Sequence, residues 1–362
     1  MQLNVKAPIC DTGYGIAAKN IIKGLFSDKD VDLCTIPINP NVKVDTHEQP
    51  LFSEILKNSQ EPHYNGHSLK IWHQNDLMDH VGKGKKIGWP IFELDRLTMQ
   101  ECHHVGYCDE IIVCSEWARQ IVIESLYNSY KWPHLENIVH TIPLGVDTSV
   151  FYHQPSQHEA TRFFNCGKWE VRKGHDVLIK AFERVFNEND NVELYMMCHN
   201  PFPQVSNESC QRHYKSGKLA EKVFFVNRGG SHIEVANVMR QMDCGVFPAR
   251  AEGFNMELLE SMACGLQVIT TNYSAHTEYC TVDNSKLIKI EETETANDGI
   301  WFKGQGKWAK IEDEHIDEIA QYMLDIHQKK QNGENIINTA GIQTAKKLSW
   351  ENTVEKLKDV LS

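Results

Sequence analysis

Two carboxylates, Glu252 and Glu260, flank a short segment, Gly253-Phe254-Asn255-Met256, that follows the apolar run Cys244 to Phe247. The pattern reads as strand, loop and helix, with Asn255 as the helix N-cap. The loop would then present backbone N–H groups at the positive end of a helix dipole, where phosphate binds readily. Carboxylates do not bind phosphate; they accept hydrogen bonds from hydroxyls. Glu252 before the helix and Glu260 inside it would border one anion pocket at different depths. That points to a ligand carrying sugar groups on either side of a diphosphate. The plainer alternative is an ordinary capped amphipathic helix with both carboxylates solvated.

Further candidates stand at the ends of other apolar runs. Gly13 and Gly15 flank Tyr14 where a first strand turns into a helix, and a backbone without side chains can come close to a phosphate or sugar. His73 closes the run Leu-Lys-Ile-Trp-His, and Glu93 and Asp95 follow the run Ile87 to Phe92. Strand ends facing a cleft are where an acceptor-side catalytic group belongs. A satisfied structural histidine is the alternative for His73. Arg172-Lys173, ahead of an amphipathic helix, is by itself a surface charge pair. Cys102-His103-His104 with Cys108 and Cys114 invites a zinc hypothesis. The spacing lacks a C-x2–4-C pair, Cys114 sits in a buried strand pattern and the two histidines fit a helix surface, so no metal is expected.

These residues need a scaffold, and the chain alternates short β-rich runs with helical patterns throughout. In the first part the runs are Leu3 to Ile9, Val31 to Ile38, Leu69 to His73, Ile87 to Phe92, Ile111 to Cys114 and Ile138 to Leu144, with helical patterns over Ile16 to Phe26 and Glu116 to Leu126. Phe151 to Ala160 loses periodicity and reads as the linker. A second series follows: Arg162 to Cys166, Val192 to Cys198, Val223 to Val226, Cys244 to Phe247 and Gln267 to Thr270, with a helix whose apolar face is Val177, Leu178, Ala181, Phe182, Val185 and Phe186. An acidic stretch, Glu291 to Glu294, and a Gly-rich loop around Gly304 and Gly306 precede a helical tail from Asp313. The expectation is an α/β fold of two domains, 1–155 and 156–335, facing each other across a cleft, with a helical segment over 336–362.

Composition bounds the partners. The 362 residues carry 37 Lys+Arg against 49 Asp+Glu, a net charge of −12, divided evenly about Pro155. This balance argues against nucleic acid as a partner, although Lys83, Lys85 and Lys86 could line a local groove. No basic, apolar, small-residue leader pattern opens the sequence, and no window holds the roughly 18 apolar residues of a membrane helix. Eleven cysteines, an odd number lying mostly in apolar runs, fit buried thiols in a reducing, cytoplasmic compartment.

The Glu252-to-Glu260 segment resembles the E-x7-E motif of the retaining glycosyltransferases of family 4, or group 1, with the GT-B fold. The resemblance continues through Gly167-Lys168-Trp-Glu-Val-Arg172-Lys173-Gly174, similar to the phosphate-binding G-R-x(3–4)-K-G segment, and through Met242 to Pro248, similar to the strand before the first Glu. In the first part, Gly13-Tyr14-Gly15 is similar to the glycine-rich loop, Val113 to Trp117 to the PSxW segment, and Ile142 to Asp147 to the IPNGVD strand.

The resemblance implies a retaining transferase using a nucleotide-diphosphate-sugar as co-substrate, without cofactor or metal. Lys168, Arg172 and Lys173 would neutralise the diphosphate, Glu252 would meet the donor-sugar hydroxyls and Glu260 the ribose. The backbone of Gly253, Phe254, Asn255 and Met256 would line sugar and phosphates, Gly13, Tyr14 and Gly15 would serve the donor, and the family's first-domain histidine makes His73 a catalytic candidate. A helix around Trp350 would cross back onto the first domain. The pattern departs from the family at Asn255, where Gly is usual, and at Glu257, where Pro is usual. The expected acceptor is a glycan. The alternatives are hydroxymethylated bases in DNA, or a sugar-nucleotide epimerase, phosphorylase or non-catalytic binder of the same fold.

Overall fold

The computed structural model describes all of residues 1–362 except Gln157, which falls in the expected linker, and Arg228. Its chain divides into two compact units, 1–145 with 348–362, and 146–347. The linker was expected further along, over Phe151 to Ala160, and the returning tail from residue 336.

In the first unit the elements run β1 (Gln2–Ala7), α1 (Gly13–Ser27), β2 (Asp32–Pro37), α2 (Gln49–Asn58), β3 (His67–Ile71), β4 (Lys86–Trp89), α3 (Met99–Val105), β5 (Glu110–Val113), α4 (Glu116–Tyr130) and β6 (Val139–Thr141). The strands form a parallel six-stranded sheet in the order β2-β1-β3-β4-β5-β6. Helices cover both faces, so even Asn4, a polar residue at the middle of β1, is buried. Its amide is satisfied by the backbone of His63 and Val81 at 2.8–3.0 Å. Strands β3, β4 and β6 stop short of the apolar runs that announced them. His73, Glu93 and Asp95 therefore lie in irregular chain beyond the strand ends.

The second unit runs β7 (Thr161–Gly167), α5 (His175–Val185), β8 (Val192–Cys198), α6 (Asn207–Lys215), β9 (Val223–Phe225), α7 (His232–Met239), β10 (Cys244–Phe247), α8 (Met256–Ala263), β11 (Gln267–Asn272), β12 (Lys286–Lys289), β13 (Thr293–Asn297), β14 (Lys303–Ala309), α9 (Asp313–Gln331) and α10 (Thr339–Lys347). Its parallel sheet has the order β12-β11-β10-β7-β8-β9. The α5 face foreseen from its periodicity packs into the core with Phe163, Leu194, Val246 and Met323. One expectation needs correction. The Gly-rich segment is not a loop but the second strand of an antiparallel hairpin whose first strand begins at the end of the acidic stretch, pairing Thr293 with Ala309 and Glu294 with Trp308. Trp308 and Ala296 are buried and the Trp308 indole N–H donates to Glu294 at 3.0 Å, which gives the hairpin its own anchor.

The last helix, α11 (Trp350–Leu361), belongs to the first unit. Val354 packs onto Gly24 of α1 so closely that a Cβ there would lie 2.6 Å from it, and Thr353 Oγ1 donates to the Pro143 carbonyl at 2.9 Å. The glycine is what lets α1 and α11 approach. Both sheets are the doubly wound, Rossmann-like units that the β/α alternation predicts.

Candidate active site

In each sheet the strand order reverses once, and a doubly wound sheet binds ligands beside the strand ends at that reversal. In the second unit the reversal falls between β7 and β10. The segment after β7 carries Lys168, Glu170, Arg172 and Lys173; the segment after β10 carries Arg250, Glu252 and the N-terminus of α8. The two are stitched together by backbone, Arg250 N–H donating to the Arg172 carbonyl at 2.7 Å.

Glu252 is 4% exposed. One of its oxygens stands 2.6 Å from an Arg172 Nη1 and the other 2.9 Å from Lys173 Nζ. Arg172 spends its remaining reach on the Ala251 carbonyl at 2.7 Å and on Glu170 at 2.8 Å, and Lys168 takes the other Glu170 oxygen at 2.6 Å. Lys173 also faces Glu257 at 3.8 Å. Burial alone would push the Glu252 carboxyl up, but Arg172 and Lys173 outweigh it and hold the group at about 2. Burial would likewise discharge Lys173, yet Glu252 and Glu257 outweigh it and raise its pKa above the usual lysine value. Glu252 and Lys173 therefore both stay ionised at neutral pH.

Its shape depends on glycine at two points. Gly174 has φ of +71°, and a Cβ there would lie 1.9 Å from the Pro248 carbonyl oxygen. At Gly167, with φ of +141°, a Cβ would stand 3.3 Å from Lys173 Nζ. Any side chain there would press on the ammonium and on Glu257 Oε1, 3.6 Å away.

The N-cap read from sequence is present. Asn255 Oδ1 accepts from Leu258 N–H at 3.3 Å, and its backbone is left-handed with φ of +72°. This explains the family's usual glycine here: asparagine is the side chain that tolerates this region best. The amide has a second task, facing His276 Nε2 at 2.9 Å, while His276 Nδ1 lies 3.0 Å from the Thr271 carbonyl. Nδ1 therefore carries the proton and Nε2 accepts from Asn255. Burial, only partly opposed by Glu252, drives the His276 pKa down to about 4. Ser274 Oγ accepts the Glu252 N–H at 2.8 Å, and Tyr279 Oη donates to the carbonyls of Phe254 or Asn255 at 2.9 and 2.8 Å. Glu170, Ser274, His276 and Tyr279 were not foreseen; a polar run Ser274 to Glu278 directly after a buried strand was the available signal.

Glu260 is the fifth residue of α8, buried, on the helix that begins at Met256. Gly253, Phe254 and Met256 are buried beside it.

In the first unit the reversal lies between β1 and β3. Tyr14 follows β1, and its ring packs against His73 at 4.7 Å and Trp72 at 5.5 Å, both just past β3. Its hydroxyl donates to the Ile91 carbonyl at 2.5 Å and accepts from Ile91 N–H at 3.1 Å, beyond β4. Burial, then the Glu93 charge, push the Tyr14 pKa well up, so it is a fixed neutral phenol. The structure thus gathers Tyr14, His73 and Glu93; Asp95 lies nearer Arg96, at 3.8 Å. Gly13 is the first residue of α1, and Gly15 is inside it, where a Cβ would lie 2.3 Å from the Cys10 carbonyl oxygen. Close packing against Cys10 is thus sufficient reason for that glycine.

Lys83, Lys85 and Lys86 sit at the entrance to β4, the opposite end of the sheet from His73. Lys83 lies over the Tyr64 ring at 4.4 Å, Lys86 over Tyr107 at 4.2 Å, and Lys85 meets Glu110 at 3.4 Å. Cys102 is buried against the Leu97 carbonyl, and all eleven cysteines are free thiols. Among the described residues no group of three or more His, Cys, Asp or Glu is placed to hold a metal, and no helix is long and apolar enough to cross a membrane.

Residues 160–299 match the family described as glycosyl transferases group 1. A lipopolysaccharide core biosynthesis mannosyltransferase, LpsB of Rhizobium meliloti, is 30% identical over 125 residues, 34% of this chain and 34% of that protein. A GDP-mannose-dependent α-(1-6)-phosphatidylinositol dimannoside mannosyltransferase of Mycobacterium tuberculosis is 26% identical over 153 residues, 40% of this chain and 38% of its own length. The match thus spans about a third of these relatives. The structure of Anabaena HepE in complex with UDP-glucose superposes with a TM-score of 0.69 at 14% identity, covering 100% of this chain and 99% of that one. That likeness, with the two Rossmann-like units, establishes the GT-B fold.

Proposed function

We propose that the chain is a glycosyl transferase of group 1, a retaining enzyme moving a sugar from a nucleoside-diphosphate donor to a hydroxyl of a glycan, a reading supported by the family match over residues 160–299 and by the similarity to a mannosyltransferase. The observation that carries this reading is the buried Arg172–Glu252–Lys173 cluster at the N-terminus of α8. A nucleoside diphosphate leaving an anomeric carbon gathers negative charge, and fixed cations with helix N–H groups stabilise it without reorganising. Lys168, the most exposed of the three cations, is the first contact for the leaving phosphate, and Lys173, charged and buried against Glu252, adds its field from behind. Arg172, committed to Glu170, Ala251 and Glu252, positions the carboxylate.

Chemically, the bond from the anomeric carbon to the phosphate oxygen breaks, the acceptor oxygen bonds to the same face, and its proton passes to the departing phosphate. A carboxylate held at about 2 is a weak base and nucleophile, which favours this front-side course over a covalent intermediate on Glu252. Glu252 instead receives donor-sugar hydroxyls and Glu260 the ribose. Gly253 to Met256 line sugar and phosphates, and Gly13, Tyr14 and Gly15 assist on the donor. His73, Glu93 and Asp95 serve the acceptor. Because Lys168 and Lys173 supply the positive charge, turnover is expected to survive EDTA. Eleven free thiols support a cytoplasmic site of action.

The test is a thermal-shift panel of UDP-, GDP-, ADP- and dTDP-sugars, headed by GDP-mannose, which a relative's name carries, and UDP-glucose, with which a structural neighbour was solved. Stabilisation by one nucleotide class, abolished in Lys173→Ala, and a product that keeps the donor's anomeric configuration by NMR are expected. Inversion at that carbon would refute the retaining course; stabilisation that survives Lys173→Ala would refute the phosphate assignment.

A further inference from the structure

The β13–β14 hairpin carries a feature that the transferase reading leaves unused. At its tip Trp301 is 38% exposed, although the turn presenting it is tightly built: Asp298 Oδ1 accepts from the N–H groups of Ile300, Trp301 and Phe302 at 2.8–2.9 Å, and Gln305 Nε2 donates to the Trp301 carbonyl at 3.0 Å. Opposite it, 5.3 Å between ring centres, stands Phe202, also 38% exposed. Phe202 is fixed as firmly, its N–H donating at 3.0 Å to Asn200 Oδ1, whose own amide is buried and donates at 2.9 Å to the Trp169 carbonyl. The two rings meet edge to face, at 65°, and each still leaves more than a third of its residue's surface open to solvent.

Their place gives the reason. Phe202 follows β8, the strand next to β7, and His199 N–H donates to the Gly167 carbonyl at 3.0 Å. Lys168 Nζ lies 5.7 Å from the Phe202 ring centre, and its side chain is 37% exposed, the most open of the three cations. The hairpin is tied to the opposite wall, Ala309 N–H donating to the Arg250 carbonyl at 2.9 Å. Arg250 in turn forks onto Asp176 at 3.0 and 2.9 Å.

We infer that Trp301 and Phe202 form an aromatic shelf on which the nucleobase of the donor stacks, while Lys168 and Lys173 hold its diphosphate. A planar group joined to a phosphate through one ribose spans this separation, and every nucleobase offers a face to an aromatic ring. The inference rests on the donor site proposed above.

The test titrates the full chain with UDP, GDP and inorganic pyrophosphate by calorimetry, in wild type, Trp301→Ala, Trp301→Phe, Phe202→Ala and Lys173→Ala. Trp301→Ala and Phe202→Ala are expected to weaken both nucleotides roughly 10- to 100-fold, the range of one lost base stack. They should leave pyrophosphate unchanged, while Trp301→Phe stays within about threefold of wild type for the nucleotides. Nucleotide binding that is lost in Lys173→Ala but indifferent to Trp301→Ala and Phe202→Ala overturns the shelf and leaves the donor site intact. Equal weakening of pyrophosphate overturns it too, since the rings would then merely support the phosphate loop. If wild type binds none of the three, the donor site and the shelf fall together.

Discussion

Arg172 and Glu252, 80 residues apart in sequence, meet at 2.6 Å with both side chains almost wholly out of solvent, and Lys173 closes on the other carboxylate oxygen. Two cations therefore share one anion, and the three charges depend on one another. Removing one member of such a group leaves the others buried and uncompensated. Glu252→Gln is expected to destabilise the protein by about 3–5 kcal/mol in chemical denaturation, and to lower turnover more than tenfold. Arg172→Met, which removes a cation and leaves Lys173 facing Glu252, should be milder. Equal stability losses from the two changes would contradict the shared-anion arrangement.

Gly174 lets the chain turn from Lys173 into α5 with φ of +71° under the Pro248 carbonyl. Gly174→Ala must shift backbone against backbone, and a loss of more than about 3 kcal/mol is expected, well beyond the roughly 1 kcal/mol of left-handed strain alone. A melting temperature unchanged by the substitution would show that the loop relaxes freely.

At Asn255 two effects oppose each other. Asn255→Gly removes the left-handed strain but loses the cap and the amide facing His276; Asn255→Ala loses both contacts and keeps the strain. Glycine should therefore cost about 1 kcal/mol less than alanine. Urea midpoints of the two variants measure the difference directly.

His276 is buried neutral, with its pKa lowered to about 4 against roughly 6.5 in the unfolded chain. Between those values the unfolded state binds the proton and the folded state does not, so stability falls as pH falls. From this group alone the wild type should lose about 2 kcal/mol between pH 7 and pH 5. His175 and His80, also lowered to about 4, act in the same direction. Glu252 adds its own loss only below about pH 4.5, as protonation approaches its folded value. Denaturation curves for His276→Asn should show a shallower slope over pH 5–7; an unchanged slope would mean that the folded ring takes up its second proton as readily as the unfolded one.

Much was legible in the sequence because it depends on neighbours along the chain. Alternation of buried strands and amphipathic helices announced both sheets, and Asn255 announced its cap, since a strand, a turn residue and a 3.6-residue period are each written in a few consecutive positions. Even so, Ile87 to Phe92 and Leu69 to His73 read as longer strands than they are. An apolar residue such as Phe92 can be buried just as well beyond the last ladder bond.

The hairpin shows the converse. Thr293 to Asn297 and Gly304 to Gly306 have loop composition, and cross-strand matches such as Glu294 with Trp308 make them strands. The sequence by itself determined that Glu252, Lys168, Arg172 and Lys173 would follow strands of one α/β unit and that Glu260 would lie in the helix after Glu252. Only the tertiary structure decided that the cations are spent on Glu252 and Glu170, that His276 holds Asn255, and that Trp301 stands beside Phe202. The pairing of Arg172 and Lys173 with Glu252 arises because β7 and β10 are neighbours where the strand order reverses, and the other two because the fold brings separate loops together; an ion pair forms wherever the charges come within reach, however far apart the chain has placed them.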